Sequence, residues 1–282
     1  MKTATEKACG KLNLTLDVLG KRADGYHDMR MIMQTVDLCD TVSVSLSDAW
    51  RCDCSLPGVP QGDENLCMKA ARAFIAELGV QSGVSVFIDK QIPMGGGMAG
   101  GSADAAAVLR ALNAIFAHPF SEQALCKIGE QIGSDVPYCV CGGTMLAEGR
   151  GEVLTKLPKL MDCAFVLVRP DFAVSTPRLF SVLDASGSYP HPDTKGAIAA
   201  LKARDLPAFC DKMCNVFEPA LEREFPVIAS IRRDLLDLGA LNARLTGTGS
   251  VVFGVFEDEA AAKNAKTAIT ARGLQSFLAK PV

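Results

Sequence analysis

Ile92-Pro93-Met94-Gly95-Gly96-Gly97-Met98-Ala99-Gly100-Gly101-Ser102-Ala103-Asp104 places five glycines in the seven positions 95–101. Glycine loses more backbone freedom on folding than any other residue, so such a run weakens any regular element built through it. An alternating apolar segment precedes it: Val84, Val86 and Ile88 share one side of an expected strand over 84–88. An alanine-rich helix is predicted after it over 103–116, closing near Pro119. Strand, glycine loop and helix in series leave unpaired main-chain N–H groups at a helix N-terminus, where the dipole is positive. With no β-carbons in the way, a pyrophosphate can approach that backbone, and the segment reads as an anion cradle. It is not a Walker A loop, because no Gly-Lys-Ser/Thr follows. Gly95-x-Gly97-x-x-Gly100 has dinucleotide spacing, but that fold wants an acidic residue ending a second strand about 20 residues on, where this chain is still helical. The bland alternative is a flexible turn with Ser102 as a simple helix N-cap. With a ligand, the Ser102 hydroxyl offers an oxygen to a phosphate or a magnesium ion.

Working outward, strands are predicted over 11–18 and 41–46, and a helix over 64–78 that Gly79 stops. Ser121 caps a third helix running to about 132, and 144–147 is a strand. The second half opens with a buried strand at 164–168. Helices follow at 177–183, 194–203, 207–214 and 219–238, then a hairpin of 242–245 with 250–256. A helix over 258–271 and a strand over 275–280 close the chain. The pattern is α+β. Leu157-Pro158-Lys159 is the expected boundary between domains of residues 1–157 and 158–282.

Composition narrows the function classes. Of 282 residues, 49% are hydrophobic and 22% charged, which excludes disorder. The net charge of -3 shows no basic excess of the kind a nucleic-acid binder carries. The apolar run at 163–168 is too short to span a bilayer, and residues 1–7 lack the apolar core of a secretory signal, so a cytoplasmic protein is expected. Eleven cysteines, an odd number with no Cys-x-x-Cys, read as free thiols acting as small buried hydrophobes.

Three motifs stand in order along the chain. The first is Lys11-Leu12-Asn13-Leu14 with Arg22-Ala23-Asp24-Gly25-Tyr26-His27. The second is the glycine segment, continuing through Ala105-Ala106. The third is Arg244-Leu245-Thr246-Gly247-Thr248-Gly249-Ser250. In these the chain resembles the GHMP kinase superfamily. Residues 23–27, with Gly133-Ser134-Asp135-Val136-Pro137 and Ala147-Glu148-Gly149-x-Gly151-Glu152, resemble its non-mevalonate isoprenoid branch rather than homoserine, mevalonate or galactose kinases. The resemblance implies a two-domain α+β fold: an N-terminal domain like ribosomal protein S5 domain 2, a ferredoxin-like C-terminal α/β sandwich, and a site in the cleft between them. It implies transfer of the γ-phosphoryl of ATP, with Mg2+, to the 2-hydroxyl of a cytidine diphosphate-linked methylerythritol. The protein would be a monomer or homodimer with no nucleic-acid or membrane partner. Two positions depart from the pattern, Ala99 where glycine is usual and Ala103 where a second serine is common. Ala99 is expected to keep a negative φ, which an L-residue prefers.

The resemblance also implies roles. The ATP loop is Pro93, Met94, Gly95, Gly96, Gly97, Met98, Ala99, Gly100, Gly101, Ser102 and Ala103. Asp135 is the base for the attacking hydroxyl, and Lys11 beside it keeps that carboxylate ionised and offsets developing charge. On the residues alone, Asp135 also reads as a turn cap before Pro137, and Lys11 as a surface charge on a strand. Asn13, on the Lys11 side of that strand, would bond the substrate diol. Tyr26 and His27 would hold the cytosine by stacking and edge bonding, and otherwise form a polar turn. Phe180 would stack on the opposite face of the base, or else belongs to the core. Gly247, Thr248 and Gly249 would close over the substrate, the alternative being a tight hairpin turn. Asp17 and Asp24 have no assigned chemistry. A non-catalytic nucleotide sensor would share the glycine loop, but Lys11 and Asp135 are both present.

Overall fold

The structure, a computed structural model, describes residues 2–172, 174–186 and 189–282. The chain folds as two compact units made of interleaved segments. One comprises Met1–Lys11, Leu38–Pro93 and Ala99–Gly142; the other comprises Leu12–Asp37, Met94–Met98 and Gly143–Val282. Two long strands, β1 (Thr3–Lys21) and β2 (His27–Ser47), contribute residues to both. The alternation anticipated over 11–18 and 41–46 thus marks only the middle of much longer strands. The reason is burial: residues 12–18 of β1 are covered on both faces, so the polar side Asn13, Thr15, Asp17 faces protein rather than water.

In the first unit, residues 41–47 of β2 pair antiparallel with β4, Thr41 opposite Asp89 and Ser47 opposite Gly83. The elements in order are β3 (Arg51–Cys54), α1 (Leu66–Leu78), β4 (Gly83–Asp89), α2 (Gly100–Ile115), α3 (Glu122–Glu130) and α4 (Val136–Cys141). β3 runs parallel to β4. Val42, Val44, Val84, Val86 and Ile88 meet Ala70, Ala71, Phe74 and Ile75 of α1 and the alanine face of α2 in one apolar core. Small side chains on α2 let the helices approach closely, and Phe74, fully buried, contributes about 2–3 kcal/mol of transfer free energy. α1 starts two residues later than anticipated because the Asn65 carboxamide accepts from Cys67 N–H at 2.8 Å and so sets the cap. Gly79 ends it in the left-handed region.

One expectation about cysteine is corrected here. Cys9 on β1 and Cys39 on β2 form a disulfide, with S–S 2.01 Å, so nine of the eleven are thiols. Long-strand pairing sets these two side by side, and nothing in their separation of 30 residues signals that register. Cys52, Cys67, Cys163 and Cys210 are buried thiols, as the small-hydrophobe reading expects.

In the second unit, residues 29–34 of β2 pair antiparallel with β5 (Thr144–Gly149), which pairs in turn with β6 (Val153–Lys156). The chain continues through β7 (Ala164–Arg169), α5 (Thr176–Ser186), α6 (Thr194–Ala203), α7 (Leu206–Asp211), α8 (Glu218–Glu224) and α9 (Val227–Asp237). It ends with β8 (Asn242–Leu245), β9 (Val252–Phe256), α10 (Glu259–Ala271) and β10 (Gln275–Ala279). The sheet order is β10-β7-β9-β8, all antiparallel. The helix expected over 219–238 is two, because Pro226 has no N–H to donate and holds Phe225 extended at φ -127°, ψ 82°. α7 stops short of the anticipated 214 because the chain there pairs with β1: Leu16 N–H donates to Cys214 O at 2.8 Å and Val216 N–H to Leu16 O at 3.2 Å. No helix among the described residues is long and apolar enough to cross a membrane.

Candidate active site

Residues of all three motifs meet in the second unit. Asn13 N–H donates to Thr246 Oγ1 at 3.0 Å, and Thr246 Oγ1 donates to Gly97 O at 3.4 Å. Ser250 N–H and Val251 N–H donate to Gly95 O and Gly96 O at 3.3 and 3.2 Å. The glycine loop is therefore laced to the Gly247 loop by main-chain bonds. Contact is close enough that a side chain is excluded: a Cβ on Gly97, whose φ is 76°, would overlap the Thr246 carbonyl. A Cβ on Gly247 would stand 2.9 Å from Gly97 O. Asn13 is 1% exposed and its amide nitrogen also approaches Met31 Sδ at 3.2 Å.

In the first unit, Ala99 precedes α2 with φ 56°, which corrects the expected negative value. The turn into α2 demands the left-handed conformation, since the Ala99 carbonyl must already accept Ala103 N–H, at 2.8 Å. An alanine there costs about 1–2 kcal/mol. Ala99→Gly is expected to raise stability by about 1 kcal/mol, partly offset by the looser unfolded chain, as a higher midpoint in thermal unfolding. Ser102 is half-buried in the first turn of α2, within 4.0 Å of where a Gly133 Cβ would lie, and so faces the segment that leads to Asp135.

Around the start of α2 lies a cluster of which the three motifs contain only Asp104. Lys90 Nζ donates to Asp40 Oδ2 at 2.5 Å and to Asp104 Oδ2 at 2.7 Å, all three side chains being almost fully buried. Asp40 Oδ1 also accepts Gln91 N–H and Ile92 N–H at 2.5 and 2.8 Å. Together they pin the end of β4 to the start of α2. Burial pushes the Asp104 carboxyl up to about 7, with Lys90 pulling it down and Asp40 pushing it up. Burial opposes the Lys90 charge, but the two carboxylates outweigh it and raise its pKa. Lys90 stands two residues before the quoted stretch, yet only the register of β2 brings Asp40 to it.

Asp135 sits at the N-cap of α4, half-buried, and its side chain makes no capping hydrogen bond. Lys11 is 4% exposed on β1, which removes it from the solvent face. Both act on one sulfur: burial raises the Cys139 thiol pKa, the Asp135 charge raises it further, and Lys11 opposes them. Lys11 on β1 and Asp135 at the start of α4 are thus both within electrostatic range of Cys139.

Tyr26 and His27 close the turn after β1. Tyr26 is 55% exposed with the Arg150 guanidinium 5.3 Å from its ring. His27 is buried and stacks on Phe180, centroids 4.5 Å apart at 24°, while Phe180 meets Phe217 edge-on. His27 Nε2 lies 2.7 Å from Asp184 Oδ1, and Lys21 Nζ donates to Asp184 Oδ2 at 2.9 Å. These two hydrogen bonds hold the Asp184 carboxyl below its ordinary value. Thr248 Oγ1 is 2.9 Å from Thr176 Oγ1, which links the Gly247 loop to the start of the helix carrying Phe180 and Asp184. Asp24 accepts Tyr26 N–H at 3.1 Å and Asp17 pairs with His191 Nδ1 at 2.6 Å, so both are occupied locally.

The family described as "GHMP kinases N terminal domain" matches residues 65–143, and "GHMP kinases C terminal" matches residues 197–274. The chain belongs to the GHMP kinases, and it is a small-molecule kinase that uses ATP. A protein of Acetivibrio thermocellus named 4-diphosphocytidyl-2-C-methyl-D-erythritol kinase is 43% identical over 92% of both chains. One of the same name from Clostridium tetani is 39% identical over 98% of this chain and 99% of its own. The crystal structure of a 4-(cytidine 5'-diphospho)-2C-methyl-D-erythritol kinase superposes with a TM-score of 0.84 at 29% identity, covering 99% of each chain. A homoserine kinase from Cytophaga hutchinsonii superposes at 0.79 with 19% identity over 100% of this chain and 95% of its own, which shows the shared fold alone. Within the GHMP kinases, this chain belongs to the 4-diphosphocytidyl-2-C-methyl-D-erythritol kinase family.

Proposed function

We infer that this chain transfers the γ-phosphoryl of ATP to the 2-hydroxyl of 4-diphosphocytidyl-2-C-methyl-D-erythritol, in the methylerythritol phosphate route to isoprenoids. The observation that supports this most is the meeting of Asn13, Gly97 and Thr246, which joins the acceptor strand, the phosphate loop and the Gly247 loop. Phosphoryl transfer asks for positioning and charge stabilisation more than for covalent chemistry. Asp135 takes the proton of the attacking hydroxyl, and its side chain is not spent on capping α4. Lys11 offsets the charge that develops on the transferred group. Residues 93–103 hold the triphosphate through main-chain N–H groups and the N-terminus of α2. Asn13 orients the diol, and Gly247, Thr248 and Gly249 close over the acceptor.

The exposed Tyr26 ring stacks on the cytosine while His27 bonds its edge. Asp184 already occupies His27 Nε2, so the edge bond to the base is assigned to other atoms of His27. Phe180 stacks directly on the His27 ring, and it would meet the cytosine from the side opposite Tyr26. Among the described residues, no group of three or more His, Cys, Asp or Glu side chains is placed to hold a metal. A magnesium ion would be carried on the ATP phosphates, with Ser102 Oγ as the protein ligand, and it would supply charge neutralisation there. Residues 1–157 supply the nucleotide and base chemistry and residues 158–282 the Gly247 loop. The enzyme works in the cytoplasm, as a monomer or homodimer, on small molecules.

A coupled assay of ADP release with magnesium tests the reading. Turnover is expected with the cytidyl diphosphate substrate and none with homoserine; turnover on homoserine alone would overturn it.

A further inference from the structure

The Gly247 loop is held from behind by one short segment, residues 214–218, which follows α7 and ends on the first residue of α8. Asn215 is 1% exposed. Its amide nitrogen donates to Leu245 O at 2.9 Å and to Gly247 O at 2.8 Å, and its Oδ1 accepts Phe217 N–H at 3.0 Å. The amide orientation is unambiguous, because both partners of the nitrogen are carbonyls and the partner of the oxygen is an N–H. Three residues on, Glu218 Oε1 accepts Leu245 N–H at 2.8 Å. Its other oxygen lies 3.4 Å from Arg244 and 3.5 Å from Arg232. Arg244 donates onward to Met213 O at 2.8 Å, and Arg232 to Ala243 O at 3.0 Å. The same segment bonds Leu16 on both sides, three residues from Asn13 on β1. One buried amide and one buried carboxylate therefore fix the end of β8 and the loop beyond it against the strand that carries Asn13.

We propose that Asn215 and Glu218 are positioning residues for phosphoryl transfer, setting where the Gly247 loop stands over the acceptor. This rests on the reading of that loop as an acceptor contact. Buried polar groups held by several bonds at once move little, and a loop displaced by about 1 Å can cost about 10²-fold in rate. Asn215→Asp keeps the shape but turns an acceptor oxygen toward two carbonyls. Glu218→Gln keeps an acceptor for Leu245 N–H but removes the charge that Arg232 and Arg244 share.

The test is steady-state kinetics on purified full-length variants, with acceptor KM and kcat read separately and the Kd of a non-hydrolysable ATP analogue measured in parallel. Asn215→Asp is expected to lower kcat/KM for the acceptor by about 10²-fold and to change the analogue Kd by less than about threefold. Glu218→Gln is expected to lower kcat/KM by about tenfold, and it carries the test if Asn215→Asp does not fold. Ile231→Val, a core change in α9, serves as the stability control with unchanged kinetics. Thr248→Ala reports on the loop itself. Loss of acceptor kcat/KM in both Thr248→Ala and Asn215→Asp supports the inference. Loss in Thr248→Ala without loss in folded Asn215→Asp or Glu218→Gln overturns it and leaves the loop reading standing. Loss in Asn215→Asp alone also overturns it, since the effect would not pass through the loop. No loss in any of them overturns the loop reading as well.

Discussion

Asp135→Asn is expected to lower kcat by about 10²–10⁴-fold while the Kd of an ATP analogue stays within about twofold. The substitution keeps size and shape and removes the ability to accept a proton. Because the Asp135 side chain makes no capping bond to α4, the helix should not feel the change, and thermal unfolding should match the parent protein. The Lys11 ammonium would meanwhile lose one of its neighbouring counter-charges. Rate measurements at saturating acceptor and ATP, with a thermal melt on the same sample, check this. A folded variant with near-parental kcat would remove Asp135 from the chemistry; parallel losses of stability and nucleotide affinity would make it structural.

Gly97→Ala is expected to weaken binding of an ATP analogue by about 10²-fold or more, and Gly95→Ala by far less. Both positions have positive φ, at 76° and 68°, and both pay about 1–2 kcal/mol for an L-residue there. They differ in surroundings. A Cβ on Gly95 meets open space, whereas one on Gly97 overlaps the Thr246 carbonyl, a backbone atom that cannot rotate away. The loop has to retreat, which breaks the bonds from Ser250 and Val251 to Gly95 and Gly96. Two buried main-chain bonds lost with their carbonyls unsatisfied cost about 2–6 kcal/mol together. Calorimetric titration of both variants makes the comparison; equal losses would show that conformation alone, and not the close approach to Thr246, fixes the loop.

Much of this was readable in the chain because it is written locally. The α2 pattern, Gly79 as a stop, Ser121 as a cap and the hairpin of β8 and β9 each follow from a few adjacent residues. The places where reading failed needed distant information or a proline counted properly. Pro226 splits α8 from α9 by the loss of one donor. Ala99 takes the left-handed turn that the entry to α2 imposes, against its own preference. The Cys9–Cys39 bridge depends on how β1 lies against β2.

Sequence by itself determined the family, the glycine loop between β4 and α2, and the order of the three motifs, since glycine spacing and strand–loop–helix succession are properties of consecutive residues. Tertiary structure alone decided that Lys90 is clamped between Asp40 and Asp104, that His27 leans on Phe180 and Asp184, and that Asn215 and Glu218 stand behind the Gly247 loop. The physical reason is that a buried charge or amide must find partners within about 3 Å, and which residues lie that near is fixed by strand register and helix docking over separations the local pattern does not encode.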